Sequence, residues 1–163
     1  MIAERLRSAL RLPASHWLAY AVTYAVIGAV MNQIGQELQI ARFAHGWQVI
    51  TVYVLYMVPV SVLMRELPWW QQYSYGLFPM GLLEFGGYAL RTSYAYPNNI
   101  LDRMFSEQNF SLAMTLFFAA YFPLLNALVT RIQREFIDPR RRRGGEPGKD
   151  GPSRQSERLE SSD

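Results

Sequence analysis

Glu84 sits near the middle of an apolar stretch from Gly76 to Arg91. Tyr88 and Arg91 follow it at i+4 and i+7, which puts all three on one face if the stretch is helical. A carboxyl beside a phenol and a guanidinium is a set that can hold, give or take a proton. Inside a bilayer an ionisable side chain costs at least about 2.5–3.5 kcal/mol on insertion scales. A hydrogen bond from a protonated Glu84 to Asn32, Asn126 or a tyrosine would offset that cost structurally. So would a proton alone, because a neutral acid is far cheaper to desolvate than its anion. Both routes create a polar pocket among apolar walls, the default place to look for function in a membrane segment.

Several other chemistries are missing. The chain has no cysteine and two histidines, His16 at the far end of the first apolar segment and His45 in the polar connection after it, so no metal is expected. It has no Ser-His-Asp set, no HExxH and no phosphate loop. The net charge of +3 comes from arginines clustered near the two ends, without a basic stripe interleaved with aromatics. That favours a membrane surface over nucleic acid as the charged partner.

The elements that must position Glu84 are apolar helices. The mean hydropathy of -0.03 averages an apolar body with a polar end. Apart from tyrosines, the ionisable residues between His16 and Leu67 are His16, Glu37, Arg42, His45, Arg65 and Glu66. A helix crosses a bilayer with about 20 apolar residues. Four segments approach that length: about 16–33, 47–64, 73–90 and 110–132. The expected fold is therefore all-α, a polytopic bundle of four transmembrane helices over residues 16–137. An amphipathic cytoplasmic segment, 1–15, precedes it, and a disordered, polar cytoplasmic tail, 138–163, follows. Ala21, Ala25 and Ala29, with Gly28 beside them, form one stripe of small residues, and Ser111, Thr115 and Ala119 form another. Such stripes allow close helix packing. Pro59, Pro79 and Pro123 interrupt spans 2, 3 and 4, which membrane helices absorb. No internal repeat is evident.

Two polar connections join the spans. Residues 34–46 include His45 and Arg42, with a weak apolar face suited to the interface, or else they extend span 1 as one bent helix. Residues 92–108 hold Pro97-Asn98-Asn99, which is turn chemistry, and one expected helical turn over 100–104 with Asp102 and Arg103. Arginine is sparse in both connections and frequent at the two ends, so the inside-positive bias places both termini in the cytoplasm. That topology draws Glu84, Asn32, His45, Tyr88, Arg91, Asp102 and Arg103 toward the outer half, and the buried amide Asn126 is counted with them as a pocket residue.

The expected function is an integral membrane accessory protein or complex subunit. It would pack against partner helices, or bind an apolar ligand in its outer-leaflet half. Membrane lipids and a protein partner or second copy are the expected partners, a bacterial inner membrane the expected location, and no cofactor is specified. One alternative is an intramembrane enzyme on a lipid or isoprenoid substrate with Glu84 as general acid or base. A second is a small proton-coupled transporter with Glu84 as carrier.

Overall fold

A computed structural model of the chain describes residues 2–106 and 109–137; the segment read as the tail lies outside them. The described chain is mostly helical. A short helix α1 (Ile2–Leu10) leads into α2 (Ala14–Glu37), strand β1 (Ala41–Phe43) and helix α3 (Trp47–Met64). Then come α4 (Trp69–Ala89), strand β2 (Ser93–Ala95) and the short α5 (Ile100–Phe105). Last are α6 (Phe110–Ala119) and α7 (Tyr121–Ile132), continued by a π-helical turn over Gln133–Ile137.

Among the described residues, three helices are long and apolar enough to cross a membrane: α2, α3 and the run Phe110–Ile137. The helix α4 is not in that set, although it has 21 residues. Glu84, two glutamines and four glycines dilute its hydropathy. The first apolar segment extends beyond its expected bounds of 16–33, because Gln33, Gln36 and Glu37 are too polar for a span yet ordinary in a helix. It does not bend on through residues 34–46; it ends, and a strand follows.

The prolines leave distinct marks. Before Pro59, residues Thr51–Met57 widen into a π-helix, a register that relieves the clash of a proline ring with the preceding turn. Pro123 cannot donate to the Ala119 carbonyl, and the last long helix is divided at Ala120. Pro79 stays inside α4, where its carbonyl accepts a 2.7 Å hydrogen bond from the Tyr56 hydroxyl of α3.

The two connections meet, which the sequence reading did not anticipate. The strands β1 and β2 pair antiparallel, with Ala41 opposite Ala95, Arg42 opposite Tyr94 and Phe43 opposite Ser93. Each strand follows a helix closed in the same way. Gln39 (φ 51°) and Arg91 (φ 56°) are left-handed. The next amide N–H bonds back across the last turn, Ile40 to Gly35 at 2.8 Å and Thr92 to Gly87 at 2.9 Å. A helix, a left-handed turn and a three-residue strand thus occur twice.

Pairing of the strands ties together the connections that follow α2 and α4. The other end of the bundle is fixed by α1, whose Ser8 hydroxyl donates to Glu66 at 3.0 Å and accepts from Arg65 at 2.9 Å. There Ala9 is buried, but Leu6 and Leu10 remain exposed, so the expected apolar face of α1 is only partly covered. Between these ends α4 runs the length of the bundle beside α6 and α7.

The core centres on Tyr20, Tyr24, Met57, Met80 and Phe122. Two glycines make room for rings: a Cβ at Gly28 would meet the Tyr53 ring, and one at Gly76 the Phe122 ring. The packed face of α2 is Tyr20, Thr23, Tyr24 and Gly28. The alanine stripe is therefore not the buried face, and Ala29 is exposed. Leu18, Val22, Val26 and Val30 also point outward. The second stripe behaves as read: Ser111, Thr115 and Ala119 are buried on the side of α6 that packs against α4.

Candidate functional site

Along α4 the residues Gln72, Gly76, Met80 and Glu84 recur at intervals of four, and the first three are buried. Continuing that stripe turns Glu84 inward. It lines a cavity of about 240 Å³ beneath the paired strands, open on one side. The walls are mostly apolar. Met31, Met57, Met80 and Met114 come from four different helices, with Phe43, Phe110, Phe117 and Tyr53 around them. Methionine is flexible and polarisable, so such walls adapt to irregular apolar shapes. Glu84 is half-buried there. Among the described residues its carboxyl has neither a hydrogen bond nor an ion pair. The structural offsets expected for it, Asn32, Asn126 or a tyrosine, are thus not made. Asn32 lines the same cavity, but its Oδ1 accepts from the Phe43 N–H at 3.3 Å and so ties α2 to β1.

A second, more polar cleft of about 690 Å³ adjoins it, lined by Tyr88, Arg91, Asp102, Tyr94 and Tyr96. Arg42 and Phe110 line both spaces. The Arg42 guanidinium lies 5.4 Å from the Tyr94 ring centre and 5.8 Å from that of Tyr96, a doubly stacked cation. The same residues that pair the strands therefore fix a positive charge where the apolar cavity meets the polar cleft. Asp102 is held nearby because the Asn99 side chain caps α5, accepting from the amides of Leu101 at 2.8 Å and Asp102 at 3.0 Å.

The expected set divides accordingly. Glu84 and Asn32 share the apolar cavity, and Tyr88, Arg91 and Asp102 share the cleft. The face expected for Glu84, Tyr88 and Arg91 is split between the two spaces. Tyr88 has drifted off the buried stripe and is exposed, and Arg91 lies beyond the helix end. His45 and Arg103 line neither space. The His45 ring stacks on Trp47 with centroids 6.2 Å apart, and its backbone N–H donates to Gln48 at 2.8 Å. Arg103 is exposed on α5.

Asn126 is not a pocket partner of Glu84. It occupies the other end of the bundle, facing Gln72, which is 12 positions or about 18 Å of helix from Glu84. Its Oδ1 accepts from Tyr20 at 2.9 Å and from Ser61 at 2.8 Å. Its amide donates to the Ser61 carbonyl at 3.3 Å and to Gln72 at 2.7 Å. Tyr24 adds a bond to Ser61 at 2.7 Å, and Gln72 donates to the Leu67 carbonyl at 2.7 Å. Asn126 thus makes all four of the bonds an amide can make, and it links α2, α3, α4 and α7.

Sequence reasoning missed Arg42 as a site residue, and it missed the methionine and aromatic walls. Arg42 looked like one more charge in a connection, and only strand pairing carries it over the cavity. The methionines are scattered through the chain and carry no spacing signal. No protein-family model, curated protein or solved structure matches this chain.

Proposed function

We propose that the chain is an integral membrane protein that binds an apolar ligand with a polar end, as an accessory component in its membrane. The observation that carries this reading is the adaptable apolar cavity with one carboxyl that has no partner among the described residues, opening beside the stacked Arg42. About 240 Å³ is less than the roughly 300–1,000 Å³ of sites that enclose a whole drug-sized ligand. It suits a segment of an acyl or isoprenoid chain, with the polar end toward Arg42, Arg91 and Asp102.

The reading includes four spans. At about 1.5 Å per residue the 21-residue α4 reaches about 30 Å, the thickness of a hydrocarbon core. Its neighbours on the Glu84 side are helices that are themselves apolar enough to span. The inside-positive bias then places both termini in the cytoplasm and the paired strands outside. A bacterial inner membrane is the proposed location.

A second reading, an enzyme on a lipid or isoprenoid substrate, draws on the same carboxyl. Glu84, which has no partner among the described residues and lines an apolar cavity, is positioned to exchange a proton with a bound chain. One experiment separates the readings. The tagged chain is purified in mild detergent, and everything that accompanies it is identified by mass spectrometry, for wild type, Glu84→Gln and the cavity-filling Met114→Trp. An apolar compound bound to wild type and depleted at least fivefold in Met114→Trp supports the binding reading. Chemical turnover of that compound by wild type but not by Glu84→Gln moves the assignment to the enzyme. A stoichiometric protein partner with no bound compound in any variant overturns ligand binding and leaves a packing subunit.

A further inference from the structure

Two buried side-chain nitrogens, Arg65 Nη1 and Gln133 Nε2, have no hydrogen-bond partner among the described residues. Both residues line one open cleft of about 1000 Å³ at the α1 end of the bundle, remote from Glu84. Buried donors are rarely left unpaired, and such a group calls for an acceptor, from water or from a ligand. The other Arg65 arm is already engaged: Nη2 donates to Ser8 at 2.9 Å and to Glu66 at 3.1 Å, which fixes the guanidinium plane. Arg131, Arg134 and His16 also line the cleft. Glu135 is the sole carboxylate among the lining residues, and it is taken by Arg131 at 3.1 Å.

We infer that this cleft is a binding site for a phosphate group, held by Arg65, Gln133 and Arg134. Arg65 on α3 and Gln133 at the end of the last long helix line the same cleft, and an apolar or cationic occupant would leave their donors unpaired. A phosphate offers several acceptor oxygens and matches the guanidinium fork. Trp69 lines the same cleft. Tryptophan is a side chain of the membrane interface, and basic pockets between membrane helices at that level take phospholipid head groups. A soluble phosphate ester presents the same chemistry.

The test uses the full chain in a maltoside detergent, with bound molecules counted by native mass spectrometry. The probes are dioleoyl phosphatidylglycerol, dioleoylglycerol with the same chains but no phosphate, and glycerol 3-phosphate as soluble competitor. Wild type is expected to retain phosphatidylglycerol and not dioleoylglycerol. Arg65→Gln and Gln133→Leu should each lower retention at least fivefold. The Gln133 change leaves the Arg65–Glu66–Ser8 contacts untouched, so it reports on the site even if the Arg65 variant unfolds; thermal melting by circular dichroism identifies the folded variants. Displacement by millimolar glycerol 3-phosphate assigns a soluble ester, and resistance to it assigns the lipid; both uphold a phosphate site. Equal retention of dioleoylglycerol, or undiminished retention by folded Gln133→Leu, overturns it.

Discussion

Asn126 and Glu84 are both polar residues in apolar helices, and their surroundings give them opposite roles. Every hydrogen-bonding position of the Asn126 side chain is used, by groups from three other helices. Hydrogen bonds between membrane helices average about 0.6 kcal/mol each. Removing Asn126 strands the hydroxyls of Tyr20 and Ser61 and the oxygen of Gln72 together. Asn126→Leu is therefore expected to destabilise the protein by about 2 kcal/mol or more, measured by reversible unfolding in bicelles; a loss below about 0.5 kcal/mol would show the network to be dispensable. Glu84 strands nothing when changed, because nothing bonds to it among the described residues. Glu84→Gln should leave stability within about 0.5 kcal/mol of wild type in the same assay. A large loss would mean that Glu84 supports the fold instead of a ligand.

At the scale of elements, the site depends on how α2 and α4 end. Each closes with a non-glycine residue in the left-handed region, at a cost of about 1–2 kcal/mol relative to right-handed backbone. Glycine is the usual residue at that position. Arg91→Gly is expected to stabilise the protein by about 0.5–1 kcal/mol, seen as a raised thermal midpoint. Because Arg91 also lines the polar cleft, the same change should weaken binding of a ligand with an anionic end. Stabilisation with unchanged binding would remove Arg91 from the site. Close packing gives a contrasting case. Gly76→Ala places a Cβ against the Phe122 ring and should cost about 1–3 kcal/mol. Phe122→Leu in the Gly76→Ala background should recover part of that loss, because the shorter side chain yields the space.

The whole molecule poses the question of sides. If α4 crosses the membrane, the two connections lie on one side and both termini on the other. The chain contains no cysteine, so single introduced cysteines report position cleanly. Ala44→Cys and Asn98→Cys should react with a membrane-impermeant maleimide in intact cells or spheroplasts. Ser153→Cys should react only after permeabilisation. Labelling of Ala44→Cys without Asn98→Cys would place α4 on the surface and reduce the spans to three. The strand pairing argues against that outcome, since Arg42 and Tyr94 are directly opposed. A surface-lying α4 would have to carry β2 away from β1.

Apolar runs are local properties, so the sequence alone determined a mostly helical chain with helices long and apolar enough to cross a membrane. The second apolar segment read from it coincides with helix α3, it marked Ser111, Thr115 and Ala119 as a packing face, and it drew attention to Glu84. A three-residue strand has too few positions to show alternation, so the Arg42–Tyr94 pairing emerged only from the assembled chain. The helical phase of α4 likewise separated Glu84 from Tyr88. A drift of about 40° per four residues matters only once neighbouring helices define an inside. The same tertiary packing decided that Asn126 meets Tyr20, Ser61 and Gln72 at one end, while Glu84 faces a cavity at the other. Which polar group finds a partner depends on residues distant in the chain, and local pattern carries no record of them.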